Sequence, residues 1–214
     1  MDVRLERMRL ADLPDLAALA GIERLFLTRT PISDLTPLAG LISLRVLGLR
    51  LTRVADVAPL AGLNRLESLI LSFTPVAQVA PLAALRRLHS LYLTGTMIAD
   101  IAPLAGLTGL TRLDLGGTAV ADLRPLADLT ALESLQLSST KVTDLAPLRR
   151  LTKLRVLELG DTAVADLTPL AGLTALRRLD IRGTPATDHP ALSGLKGCEI
   201  VSSATFRRPR GGAP

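Results

Sequence analysis

Leucine and other branched aliphatic residues return along this chain at fixed offsets, and the whole pattern recurs every 22 residues. The stretch Leu107–Asp128, LTGLTRLDLGGTAVADLRPLAD, is one tile, and most of the chain is this tile laid end to end with the consensus LxxLxxLxLxxTxVxDLxPLAG. One apolar column runs Leu25, Leu47, Leu69, Leu91, Leu113, Leu135, Leu157 and Leu179, with Val201 as its continuation. Two residues on, a second runs Leu27, Leu49, Leu71, Leu93, Leu115, Leu137, Leu159 and Ile181. Apolar residues at period two predict a short strand with one buried face. Self-similarity at a fixed period of roughly 20–50 residues marks a solenoid, in which each repeat buries its apolar side chains against its neighbours alone. Strands that return to the same place after each coil lie side by side and parallel, about 4.8 Å apart. Their crossovers are right-handed.

The polar columns follow from the same geometry. The segment DLxPLAGL, as in Asp122–Leu129, holds a proline that fixes φ and removes a donor, which predicts a turn entering a short helix or 3₁₀ segment. Asp34, Asp56, Asp100, Asp122, Asp144, Asp166 and Asp188 stand before it, with Gln78 as the one break, and suit capping of exposed main-chain N–H groups. Thr30, Thr52, Thr74, Thr96, Thr118, Thr140, Thr162 and Thr184 follow the strand, where the chain turns inward. A buried hydroxyl there is expected to bond main chain in its own or the adjacent tile, and stacked copies to form a polar ladder. No column of bases accompanies these threonines, so a nucleophilic role has no support.

This consensus resembles the bacterial 22-residue leucine-rich repeats, most closely the internalin-like type, over about Val3 to Val201. That family usually carries asparagine in the ladder column, where this chain has threonine throughout. The resemblance implies an α/β solenoid, a right-handed superhelix with short parallel β-strands on the concave face and 3₁₀ or short helical turns on the convex face. It also implies protein–protein recognition on the concave sheet, without naming a partner. Secreted internalins carry a signal sequence and a helical N-terminal cap, so host-cell invasion is not carried over.

The expected organisation is one leucine-rich-repeat domain over residues 1–206, about nine coils with the first and last degenerate, and a basic tail at 207–214. The net charge of +5 owes +3 to Arg207, Arg208 and Arg210 in that tail. The body is close to balanced and its basic residues are spread over many columns, which argues against nucleic acid as the partner. Arg86, Arg87, Arg149, Arg150 and Lys153 read as a solvated convex face. Cys198 is the one cysteine, so no disulfide framework exists. His189 and Cys198 are expected to be degenerate core positions, and no metal site or cofactor is expected. No apolar run reaches the length of a membrane span, and MDVRLERMRLADLPD lacks the apolar core of a signal peptide, so a cytoplasmic location is expected. Residues 186–206 read as an improvised C-terminal cap, and the bare first coil as a surface for self-association or a junction with a longer protein.

Candidate binding residues are those the fold does not demand. The residue between the two strand columns points to the concave face and runs Phe26, Gly48, Ile70, Tyr92, Asp114, Gln136, Glu158, Asp180. It is apolar early and acidic late. Three residues after it, Leu51 and Phe73 add apolar bulk. Phe26, Phe73 and Tyr92 are three of the four aromatic residues in the chain and gather on one face, as a partner-binding site requires. A protein or peptide partner would use Phe26, Leu51, Ile70, Phe73 and Tyr92 as apolar anchors, with Asp114, Gln136, Glu158 and Asp180 setting electrostatic preference, against which Arg112, Arg178 and Arg182 stand close enough in column terms to neutralise much of the acidic half. An open sheet offers no water-excluding pocket for catalysis. The alternative is a structural or regulatory repeat segment of a larger protein that assembles through its uncapped ends.

Overall fold

The computed structural model describes residues 2–5, 7 and 21–203. Ten strands of three residues each form one sheet in chain order: β1 (Asp2–Arg4), β2 (Arg24–Phe26), β3 (Val46–Gly48), β4 (Ser68–Ile70), β5 (Ser90–Tyr92), β6 (Arg112–Asp114), β7 (Ser134–Gln136), β8 (Val156–Glu158), β9 (Arg178–Asp180) and β10 (Glu199–Val201). All neighbouring pairs are parallel. The chain is an α/β leucine-rich-repeat solenoid. The tail at 207–214, Phe206 and the first-coil positions Met8, Leu10, Asp12, Leu13, Leu16 and Leu19 lie outside the described residues.

The leucine columns make the core. Leu25, Leu47, Leu69, Leu91, Leu135, Leu157 and Leu179 are fully buried, as are Leu27, Leu49, Leu71, Leu93, Leu115, Leu137, Leu159 and Ile181. Full burial of a leucine contributes on the order of 1.5–3 kcal/mol. Stacked columns therefore make each coil depend on the coil before and after it. The register corrects one expectation. Ile200, not Val201, pairs with Leu179, and Val201 lies opposite Asp180. One residue separates Cys198 from Ile200 where two separate Leu176 from Leu179, and a one-residue change in a strand moves every side chain to the other face.

The crossovers are 3₁₀ turns: Thr36–Leu38, Ala58–Leu60, Ala80–Ala84, Ala102–Leu104, Arg124–Leu126, Ala146–Arg150, Thr168–Leu170 and Pro190–Gly194. Each carries proline in its first positions, where a missing N–H costs nothing. Two residues before each first free N–H, an aspartate accepts from it: Asp34 from Thr36, Asp56 from Ala58, Asp100 from Ala102, Asp144 from Ala146 and Asp166 from Thr168, all at 2.8 Å, and Asp122 from Arg124 at 2.9 Å. Hydrogen bonds from Thr36, Arg124 and Thr168 respectively hold Asp34, Asp122 and Asp166 below the usual carboxylate range. Gln78 makes no such bond. In the last coil proline comes one residue early, so His189 rather than Asp188 stands two residues before the donor, and its Nδ1 accepts from Ala191 N–H at 3.1 Å. Its Nε2 lies 3.2 Å from Asp166 Oδ1. His189 thus caps a turn, and its degenerate place in the core pattern has a local use.

The eight threonines are buried, and each Oγ1 donates to the carbonyl three residues earlier at 2.6–2.8 Å. These bonds stay inside their own coils. A hydroxyl has one O–H to donate. Once it closes the local turn it has none left for the adjacent coil, so the column is a stack of separate clasps and not a continuous ladder.

Candidate partner-binding face of the sheet

The strand register aligns one row of side chains across the sheet: Arg4, Phe26, Gly48, Ile70, Tyr92, Asp114, Gln136, Glu158 and Asp180. Phe26, Ile70, Tyr92, Asp114, Gln136 and Glu158 are half-buried, as side chains on the solvent face of a sheet are. Asp180 is not: it is only 1% exposed.

A second row runs beside the first and is set by backbone shape. Arg7, Arg29, Leu51, Phe73, Ser139 and Asp161 adopt φ of +56° to +60°, and Gly95, Gly117 and Gly183 in the same column are also left-handed. The turn out of each strand requires this conformation, for which glycine is the ordinary choice. A side chain there costs roughly 1–2 kcal/mol. Leu51 and Phe73 occupy it nonetheless, and are 38% and 44% exposed.

Both phenylalanines are pinned. A Cβ on Gly48 would lie 2.7 Å from Phe26 Cδ1, and one on Gly95 would lie 2.6 Å from Phe73 Cδ1, so each ring lies directly against the glycine of the next coil. Over each ring stands an arginine of the preceding coil: Arg4 Cζ is 5.2 Å from the Phe26 centroid and Arg50 Cζ is 5.0 Å from that of Phe73. Arginine, phenylalanine and glycine therefore stack across three successive coils at two places. Cation–π contacts of this exposed kind contribute about 0.5–1 kcal/mol.

The acidic half is engaged internally. Asp180 accepts from Arg182 N–H at 2.9 Å and pairs with the Arg182 guanidinium through Nε and Nη2. Burial pushes the Asp180 carboxyl up, but the Arg182 hydrogen bonds and charge outweigh it and hold the group below its ordinary value. Glu158 lies 3.1 Å from Arg178, which also reaches Glu199 at 3.0 Å. Burial, with the Asp180 charge adding to it, still keeps Glu158 above the usual range against that guanidinium. Asp114 and Gln136 fold back on the strand ends, accepting from Gly116 and Ser138 N–H at 3.0 and 2.7 Å. The expected acidic surface is thus largely spent on its own chain. Arg4, Arg7, Arg29, Arg50 and Arg112 have no carboxylate partner among the described residues, whereas Arg24 lies 3.5 Å from Asp2.

Among the described residues Ile42 and Met97 are the most exposed large apolar residues, at 65% and 68%, and lie on the loops away from the strand rows. Their columns could have revealed them. Equivalents of Ile42 are Asn64, Arg86, Thr108, Thr130, Thr152 and Thr174, and those of Met97 include Arg53, Ala119 and Lys141. On the crossover side Arg150 pairs with Asp128 at 2.8 Å and Arg86 donates to the Gly106 carbonyl, so these arginines link successive coils. Burial raises the Cys198 thiol above its ordinary value. Among the described residues no cluster of three or more His, Cys, Asp or Glu could hold a metal ion, and no helix is long and apolar enough to cross a membrane.

A family model for leucine-rich repeats, two copies, matches residues 130–172. No curated protein matches the chain. Among solved structures, internalin C2 from Listeria monocytogenes is 38% identical, with 75% of this chain and 71% of that one covered and a TM-score of 0.74. Another internalin of the same species is 26% identical over 88% of this chain and 69% of its own, with a TM-score of 0.78. The leucine-rich-repeat ectodomain of a plant membrane receptor kinase from Arabidopsis thaliana, solved in complex with Casparian strip integrity factor 2, shares the fold at 21% identity and a TM-score of 0.72, over 89% of this chain and 25% of that one. Leucine-rich-repeat proteins are in general protein-binding modules and internalin-like ones typically lack enzymatic activity. With its 22-residue tile, its ten-stranded parallel sheet and 38% identity over three quarters of its length, the chain belongs to the internalin-type leucine-rich-repeat proteins.

Proposed function

We propose that this chain is a non-catalytic module that binds a protein or peptide on the concave face of its sheet. Phe26, Ile70 and Tyr92 in the strand row and Leu51 and Phe73 in the left-handed row serve as the apolar anchors. The observation that carries this reading is the placement of leucine and phenylalanine at exposed positions whose backbone favours glycine. Neither residue is needed to close the coil, since glycine does so at Gly95, Gly117 and Gly183. Rings already held against glycine lose little rotamer freedom on binding, which favours affinity.

Site-specific photo-crosslinking tests the face. A photoreactive phenylalanine analogue placed at Tyr92 is expected to capture a discrete partner, and the same analogue at Ala171, on the crossover side, to capture none. Equal capture from both positions would remove the assignment of the sheet face.

A further inference from the structure

We propose that the segment docking on this face is acidic as well as apolar, its carboxylates meeting Arg4, Arg29 and Arg50 while its apolar side chains cover Leu51, Phe73 and Tyr92. This rests on the sheet-face reading above and adds the charge of the partner. The two halves of the face differ in what their charges already do. In the later half, Asp180 is closed by Arg182 and Glu158 by Arg178, Asp114 accepts a main-chain N–H, and the exposed Asp161 acts on the charge of Arg182. In the earlier half, Arg4, Arg7, Arg29 and Arg50 stand among the apolar anchors without a carboxylate of their own among the described residues. Among the described residues, the apolar patch therefore carries a positive rim that no carboxylate pairs with, and complementary charge is what steers and orients a partner. Two of these guanidinium groups lie over phenylalanine rings, 5.0 and 5.2 Å from their centroids, which leaves their edges to form hydrogen bonds with incoming carboxylates.

Single-stranded nucleic acid also seeks arginine beside aromatic rings, but it needs open ring faces on which bases stack. Here Phe26 and Phe73 lie against glycine on one side with arginine over them, and their neighbours Leu51 and Ile70 are aliphatic. An acidic peptide with spaced apolar side chains fits that surface better.

The test uses the full chain and two fluorescent synthetic peptides of about a dozen residues, one of Glu, Leu and Ser and one with Lys in place of every Glu. Fluorescence anisotropy is expected to show binding of the acidic peptide, weakening with salt, and none of the basic one. Arg29→Glu with Arg50→Glu is expected to weaken the acidic peptide about tenfold or more. The milder Arg29→Gln with Arg50→Gln guards against a folding defect, and circular dichroism checks both. Failure of the acidic peptide to bind, equal or tighter binding of the basic one, or indifference to both arginine pairs overturns the inference. So does tighter binding of an oligothymidine that displaces the acidic peptide. Leu51→Gly with Phe73→Gly separates the two readings. If both peptides bind alike and both are lost in that variant, the docking face stands and the charge inference fails. If the acidic peptide needs the arginines yet ignores that variant, the charge inference stands and the apolar anchors fail.

Discussion

Leu49 and Leu51 are two residues apart, and the fold treats them in opposite ways. Leu49 is fully buried between coils, while Leu51 is 38% exposed with φ of +58°. Leu49→Ala removes buried methyl and methylene groups that nothing can refill, at a cost of about 2–5 kcal/mol. Leu51→Gly has three parts. Relief of the left-handed backbone returns about 1–2 kcal/mol. Glycine's larger freedom in the unfolded chain takes back about 0.5–1 kcal/mol. A leucine that is roughly 60% covered gives up about 1–2 kcal/mol of burial, scaled from the full-burial value. The sum runs from about 0.5 kcal/mol stabilising to about 2 kcal/mol destabilising, at or below the lower end of the Leu49→Ala range. Urea unfolding followed by circular dichroism compares the two variants directly. If Leu51→Gly costs as much as Leu49→Ala, Leu51 is a structural residue and its place among the anchors is refuted.

Four other outcomes follow from the same contacts. Thr118→Val keeps the shape but leaves the buried Leu115 carbonyl without its 2.6 Å donor, and is expected to cost about 1–3 kcal/mol in a thermal or urea melt. Gly48→Ala drives a methyl into the Phe26 ring, so it is expected to destabilise, and Phe26→Ala in the same chain is expected to remove most of that penalty in a double-mutant cycle. Asp34, Asp122 and Asp166 have carboxyls depressed on folding, so their contribution is present above the ordinary Asp range near 3.9 and is lost as pH falls through the folded values; an acid titration of stability should show that loss, reduced in Asp122→Asn. Glu158 is raised instead, so its contribution is greatest below the ordinary Glu range and is lost as pH rises through the folded value; Glu158→Gln should remove that part of the pH dependence.

The fold was open to sequence reading because the core is one decision repeated. The leucine columns, the proline turns and the aspartate bonds each recur at 22 residues, so a local ambiguity in one coil is resolved by the others. Reading failed where the period breaks. One residue lost between Cys198 and β10 moved Val201 from the core column to a place opposite Asp180. Proline one residue early gave the capping task to His189 instead of Asp188. The threonine clasps were placed correctly in the core, but the count of donors on a hydroxyl decides whether they join coils, and column logic does not include that count.

The face was legible as rows and less so as chemistry. Register alone put Phe26, Ile70 and Tyr92 in one line. It could not show that Asp180 is buried under Arg182, because that depends on how an arginine two residues later folds back. Nor did it show that Leu51 and Phe73 sit on left-handed backbone. The signal for that was present, since glycine alternates with larger residues in their column. The glycines at 48 and 95, each 22 residues after a phenylalanine, were likewise a readable sign that the rings lie against the next coil.

The sheet-face reading is tested most directly by titration calorimetry of the partner captured at Tyr92 against the wild-type chain and the Phe26→Ala, Tyr92→Ala double variant, both verified as folded. Loss of two partly buried aromatic anchors is expected to weaken binding by about 2 kcal/mol or more, roughly thirtyfold. Unchanged affinity in the double variant would contradict the assignment of this face as the binding site.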